Sequence, residues 1–362
     1  MGRRGAAARV AVVVAVCAAA TAGGWVARRA GPARREGRAR PLIGFSLDTL
    51  KEERWHHDRD LFIAAAGRLG ADVLVQAANS DDARQIRDVE ALLSRKVDAL
   101  VVVPHDGAAM AKAVQLAHES GVPVIAYDRL ILNSDLDFYI TFDSVKIGRA
   151  QARFVVDALA RKPSPLRLVR IHGAPNDNNS YLIKQGQDEV LAPLLKSGRV
   201  QIIHEDWAEG WKPENAKKIV NAAITKFGSR LDAVVAANDG TAGGAIQALR
   251  EEGLAGKVVV TGEDAELAAC QRIAAGTQSM TVFQPLKLIA GRAAEIAVKL
   301  ARRQPVIVSD SSNNGRLDVP TLALDVVALT AANMDDVVVK GGYYAYDEVY
   351  RDVPAASRPP RP

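Results

Sequence analysis

Aromatic residues make up only 5% of this 362-residue sequence, and it has just two cysteines, Cys17 and Cys270. Two thiols cannot build a disulfide framework or a cysteine zinc site. No one sign of charge dominates the body of the chain either. Nine Arg and a single Glu lie in residues 1–40, and three more Arg follow residue 350. Residues 41–350 then carry 35 basic and 40 acidic side chains. The formal charge of +5 therefore sits in the termini, and the mildly acidic body lacks the electrostatic footprint of a DNA- or RNA-binding protein. With 48% hydrophobic and 25% charged residues, the composition excludes collagen, coiled coil, a disordered chain and a multi-span membrane protein. The length is long for one compact domain and comfortable for two.

Catalytic signatures are missing as well. The sequence has no G-x-S-x-G, no H-E-x-x-H, no phosphate-loop lysine motif and no dinucleotide fingerprint after a strand. Gly240-Thr241-Ala242-Gly243-Gly244 lacks the phosphate-loop lysine and reads as a helix start packed closely on its strand. The six histidines, at 56, 57, 105, 118, 172 and 204, share no metal-ligand spacing. No catalytic residue, metal or cofactor is expected, and the chain reads as a non-enzyme.

What is present begins with an address. Arg3, Arg4 and Arg9 lead into an apolar run over 10–27, with Arg28 and Arg29 just beyond it. A basic start, a short apolar stretch and small residues have the form of a secretory signal. Ala20-Thr21-Ala22 offers a cleavage site, Cys17 an imperfect lipidation site behind Val16, and the run is also just long enough for an uncleaved anchor. Export to the periplasm or the outer face of the cytoplasmic membrane is expected, with contact to a membrane only through this segment. Residues 28–40 read as a tether. In an exported protein Cys270 is expected to be a packed small residue rather than a redox centre.

Along the body, short apolar or β-branched runs at 42–47, 72–76, 99–103, 122–127, 167–171, 200–204, 233–237 and 258–261 alternate with stretches of helical period such as 81–95 and 108–120. Strand-then-helix repetition implies an α/β fold with parallel sheets and helices on both faces. So many units exceed one sheet of usual size, so two α/β lobes are expected. Polar residues cluster after the runs: Asn79, Asp128-Arg129, Asn176 to Asn179, Asp206-Trp207, Asn238-Asp239 and Glu263-Asp264. In open α/β sheets ligands bind beyond the carboxyl ends of the strands. Asn and Asp before a helix also cap its free amides, and position by position the two readings stand level.

The set mixes carboxylates (Asp177, Asp264), amides (Asn179, Asn238) and guanidiniums (Arg54, Arg129), with Trp55 and Trp211 nearby in sequence. Carboxylates only accept hydrogen bonds, guanidiniums only donate and amides do both. That mixture suits a polyol, whose hydroxyls do both, and two indoles could sandwich the C–H faces of a sugar ring. Core filling by the two Trp is the competing reading.

Several strings then occur in order: Glu53-Arg54-Trp55-x-x-Asp58-Arg59-Asp60, Ala126-Tyr127-Asp128-Arg129, Asp137-Phe138-Tyr139-Ile140-x-Phe142-Asp143, Asp177-Asn178-Asn179, Trp207-x-x-Gly210-Trp211-x-Pro213, Asn238-Asp239-x-Thr241 and Gly262-x-Asp264-Ala265. With these, residues 41–340 resemble the periplasmic sugar-binding proteins of ABC importers, a ribose- and galactose-binding-like family, and within it the D-xylose-binding branch. The resemblance implies two similar Rossmann-like lobes joined by a three-crossing hinge, the type I periplasmic binding protein fold. It implies crossings near Asp143, Met280 and Asp310. The amino-terminal lobe would be 41–143 plus 281–309, the other 144–280 plus 310–340, and 341–362 a tail.

It further implies that Arg54, Arg129, Asp177, Asn179, Asn238 and Asp264 hydrogen-bond a monosaccharide, D-xylose or a related pentose, and that Trp55 and Trp211 stack on it. Where the family's pattern has a Lys before the Pro that opens the helix after Phe283, this sequence has Gln284. Gln284 is expected to bond the sugar or its neighbours Asp264 and Asn238. The implied partners are an ABC permease with its ATPase subunit, and the protein is expected to be a monomer. Coupling of the same site to a chemoreceptor or sensor kinase is the alternative.

Overall fold

A computed structural model describes residues 25–26 and 39–361. The expectations for Arg3, Arg4, Arg9, Cys17 and Ala20-Thr21-Ala22 fall outside these residues. In chain order the strands are β1 (Trp25–Val26), β2 (Leu42–Leu47), β3 (Asp72–Ala77), β4 (Ala99–Val102), β5 (Val124–Tyr127), β6 (Phe138–Phe142), β7 (Leu166–His172), β8 (Val200–Trp207), β9 (Ala233–Ala236), β10 (Val259–Val260), β11 (Thr281–Phe283), β12 (Ile307–Val308), β13 (Asp310–Asn313), β14 (Asp318–Leu324) and β15 (Val327–Leu329). The helices are α1 (Glu53–Arg68), α2 (Asp82–Ser94), α3 (Ala111–Glu119), α4 (Ser144–Ala158), α5 (Asn178–Lys196), α6 (Pro213–Phe227), α7 (Asp239–Glu251), α8 (Leu267–Ala274), α9 (Leu286–Ala301) and α10 (Tyr346–Val349).

Two sheets organise the chain. The first has seven strands in the order β13-β14-β6-β5-β4-β2-β3, the second four in the order β10-β9-β7-β8. All neighbouring pairs in both are parallel except β13 with β14. Consecutive strand residues face opposite ways, and here each face has its own helices. Val101, Ile125, Tyr127 and Ile140 share a core with residues of α1 and α9. Their neighbours Leu100, Val102, Val124, Ala126 and Tyr139 pack with α2 and α3. That double burial is why these runs read as continuous apolar segments rather than alternating ones. In the second sheet, Val169, Ile171, Val234 and Ala236 face α6 and α7, and Leu166, Leu168, Ala233 and Val235 face α4 and α5. The α4–α5 crossing depends on two glycines. A Cβ on Gly148 would stand 1.9 Å from the Ile183 carbonyl oxygen, and one on Gly186 2.1 Å from that of Val145.

Both sheets repeat one winding. Starting from β2 or β7, the next strand adds on one side and all later ones on the other. The chain therefore reverses direction across each sheet between β2 and β4, and between β7 and β9. Such reversals open a crevice at the carboxyl ends of the strands.

Three passages link the two bodies. The first runs from β6 into α4 at Asp143, which caps that helix by accepting from Lys146 N at 2.9 Å. The others are β11 and β15, paired antiparallel. The expectation that the third crossing lies near Asp310 needs correction. Residues 310–324, assigned from sequence to the carboxy-terminal lobe, form β13 and β14. These extend the amino-terminal sheet, with Thr321 beside Tyr139 and Leu324 beside Phe142. The strand β6 is absent from the apolar runs read in the sequence, so its open edge and the strand needed to cover it were both overlooked. Residues 341–361 also differ from a loose tail. Val349, Tyr350 and Val353 pack with Cys270, Ile273 and Phe283 in a core of their own. Cys270 is fully buried there, and burial raises its thiol pKa.

Candidate functional site

The loops at the carboxyl ends of both sheets converge on one cleft, the place where open α/β sheets bind ligands. Arg54, Trp55, Arg129, Asp177, Asn179, Trp211, Asn238 and Asp264 line it, together with Glu52, Asp128, Ile183 and Glu263. Glu52, Arg54 and Trp55 follow β2, and Asp128 and Arg129 follow β5. These form the amino-terminal wall. Asp177 and Asn179 follow β7, Trp211 follows β8, Asn238 follows β9, and Glu263 and Asp264 follow β10.

Each arginine is held by acceptors from both walls. Arg54 donates from Nη2 to Asp128 Oδ2 at 2.8 Å and from Nε to Asp58 Oδ2 at 3.3 Å on its own side. Across the cleft its Nη1 donates to Asp264 Oδ1 at 3.0 Å. Arg129 donates from Nη1 to Asp48 Oδ2 at 2.7 Å, and its Nε pairs with Asp177 Oδ2 across the cleft at 2.8 Å. Burial works against both charges, yet the surrounding carboxylates outweigh it and raise both guanidinium pKa values. The acids behave oppositely. Burial raises the Asp177 pKa despite Arg129, and raises those of Asp264 and Glu263 despite Arg54.

Further contacts shut the cleft. Asn179 Nδ2 donates to the Asp128 carbonyl at 3.1 Å, Tyr139 donates to Asn179 Oδ1 at 3.3 Å, and Asn176 Nδ2 donates to the His105 carbonyl at 2.9 Å. The rings are placed by the same residues. Trp55 is buried, with the Arg54 and Arg129 guanidiniums 4.4 and 5.3 Å from its ring centroid. Trp211 packs against the core cluster that holds Trp55, Ile147 and Ile183 and so draws on both bodies. Its seat depends on Gly173, where a Cβ would come within 2.1 Å of Trp211 Cη2. Core filling and pocket lining are thus one role for Trp55. Three lining residues, Asp128, Trp211 and Asp264, have φ of 65°, 56° and 100°, a left-handed region that costs a side-chain-bearing residue roughly 1–3 kcal/mol and clusters at functional sites.

Helix capping and cleft lining coincide at two positions. Asp177 caps α5 through Asn179 N at 2.9 Å, and Asn238 caps α7 through Thr241 N at 2.9 Å, yet both line the cleft. Asn79 and Asp206-Trp207, also at strand ends, are outside it. Gln284 is outside it too. Rather than bonding Asp264 or Asn238, it accepts from Arg54 Nη1 at 2.8 Å and donates to Glu263 Oε1 at 2.7 Å. Sequence reading passed over Glu52, Asp128, Ile183 and Glu263 as site residues. Two of these were within its reach, since Asp128 and Glu263 directly precede Arg129 and Asp264 at the same strand ends.

The lining therefore holds five carboxyl groups, two guanidiniums already engaged by protein acceptors, two amides and two indoles. Acceptors exceed free donors, which favours a ligand rich in hydroxyl donors and opposes an anion. Among the described residues no group of three or more His, Cys, Asp or Glu is arranged to hold a metal ion, and no helix is long and apolar enough to cross a membrane.

Comparison with known proteins agrees with this geometry. The chain is 44% identical over 307 residues to the D-xylose-binding periplasmic protein of Escherichia coli, covering 85% of this chain and 92% of that one. It is 43% identical over 308 residues to the protein of the same name from Haemophilus influenzae, with the same coverage. A carbohydrate transporter solute-binding protein from Chloroflexus aurantiacus, solved with D-glucose, superposes with a TM-score of 0.79 at 32% identity, covering 84% of this chain and 97% of its own. Residues 43–305 match the periplasmic binding protein domain, and the chain belongs to that family.

Proposed function

We propose that the protein is the extracytoplasmic receptor of an ABC sugar importer, that it binds D-xylose in the cleft, and that it passes the sugar to a membrane permease driven by an ATPase. The observation that carries this reading is the convergence of two indoles, two arginines and an acceptor-rich lining from two separate sheets on one cleft. The names of the relatives at 43–44% identity supply the choice of sugar. No group in the cleft is needed to act as a catalyst, so the sugar leaves as it entered.

The moving bodies in this reading are the two sheets with their helices, 41–142 with 284–324 and 144–280 with 327–361, hinged at Asp143, β11 and β15. Sugar hydroxyls bridge the walls and stabilise the closed form through contacts that only that form offers. Export rests on the apolar segment at 10–27 and on the periplasmic names of the relatives. Isothermal calorimetry against a panel of pentoses and hexoses tests the assignment. D-xylose is expected to bind in a one-to-one ratio, with ribose and the hexoses weaker. Ribose or a hexose bound at least about tenfold more tightly would replace the sugar, and a panel without any binder would remove the reading.

A further inference from the structure

We infer that Glu263 is a specificity-determining residue that touches the ligand, and that Gln284 is the positioning residue holding it against the cleft. The inference deepens the sugar-receptor reading and rests on it. Glu263 lines the cleft and is buried. One of its carboxyl oxygens, Oε1, is taken by Gln284 Nε2 at 2.7 Å. Among the described residues no hydrogen bond reaches its Oε2, which leaves that atom for a ligand. Gln284 stands directly after β11, at a passage between the two bodies, and its own Oε1 accepts from Arg54 Nη1. One neutral amide therefore sets Arg54 on one wall and Glu263 on the other.

The surroundings decide which form of Glu263 the ligand meets. Asp264 on its own loop, Asp128 after β5 and Asp239 at the start of α7 all face it, and Arg54 from α1 is the one cation among these groups. Burial and the three carboxylates disfavour its ionised form, and Gln284 brings no charge to reverse that. A protonated carboxyl accepts at Oε1 and donates from Oε2. Glu263 thus supplies a hydrogen-bond donor on a wall otherwise crowded with acceptors, and it meets a hydroxyl oxygen of the sugar. A cation at position 284 would ionise Glu263 and remove that donor.

Fluorescence titration of the two cleft tryptophans with D-xylose, run from pH 6 to pH 9, tests this. The parent should lose affinity as pH rises. Glu263→Gln, whose amide donates at every pH, should bind within about threefold of the parent at pH 6 and show a flattened profile. Glu263→Ala should lose at least about tenfold at pH 6, the scale of one buried hydrogen bond. Gln284→Lys should move the fall in affinity to lower pH. Glu263→Ala binding as the parent does across the range overturns the inference. So does Glu263→Gln losing as much as Glu263→Ala. A parent that binds no monosaccharide overturns the sugar reading itself, and this inference with it.

Discussion

The two walls of the cleft are built alike and charged differently. Each consists of loops at the carboxyl ends of a parallel sheet with the same winding. The amino-terminal wall supplies both guanidiniums and the buried indole Trp55, while the carboxy-terminal wall supplies Asp177, Asp264, Glu263 and both amides. Donors on one side meet acceptors on the other. Each arginine is also anchored at home, Arg54 by Asp128 and Asp58 and Arg129 by Asp48. For the arginines, opening the cleft breaks the bonds to Asp264 and Asp177 and leaves both cations paired on their own wall. A sugar that inserts between the walls can take over those two sets of hydrogen bonds without leaving a charge stranded.

The largest blow to this arrangement is loss of an arginine. Arg129→Ala leaves Asp177 buried without its cation and Asp48 with His105 alone, and breaking a buried pair in this way costs about 3–5 kcal/mol. Chemical denaturation should register that destabilisation, and calorimetry a loss of affinity of about a hundredfold or more. Trp211→Ala removes an aromatic anchor from the opposite wall. It should weaken sugar binding by about 2 kcal/mol, roughly thirtyfold, with little change in the fold.

Gly173→Ala probes the same ring indirectly. The added Cβ would stand 2.1 Å from Trp211 Cη2 and 2.4 Å from Ser180 Oγ, so the indole must move. Affinity should fall about tenfold, from about 1.4 kcal/mol of misplacement. A Gly173→Ala variant that binds normally would show that Trp211 is not held by this seat.

The smallest effect expected is on stability against pH. Burial raises the pKa of Asp239 to about 7 and raises that of Glu263, and the bond to Asp48 raises that of His105. For each, the folded state binds the proton more tightly than the unfolded chain, so its contribution is present at low pH and lost as pH rises through the folded value. His172, lowered by burial to about 4, works the other way but only below its unfolded value of 6.5. Between pH 6.5 and pH 8.5 the acids and His105 act unopposed by it, and the melting temperature should fall by a few degrees.

Much of this was legible in the sequence. Buried parallel strands write continuous apolar runs, and with the polar residues after them and the family resemblance, Arg54, Trp55, Arg129, Asp177, Asn179, Trp211, Asn238 and Asp264 are named as a set that the structure brings to the lining of one cleft. The strands β13 and β14 escaped because β13 reads Asp-Ser-Ser-Asn and the partner of β14, β6, was itself unread. Glu263 is legible only as a polar residue beside Asp264 at the end of β10, since its partner Gln284 lies beyond the next strand. The partners of Gln284 are beyond any local pattern, because Arg54 and Glu263 lie 230 and 21 residues away in sequence.

A crystal structure of the complex with D-xylose measures the central claim most directly. The sugar is expected between Trp55 and Trp211, with hydroxyls bonded to Arg54 or Arg129 on one wall and to Asp177, Asn238 or Asp264 on the other. Sugar bound to one wall alone, or outside the cleft, would contradict it.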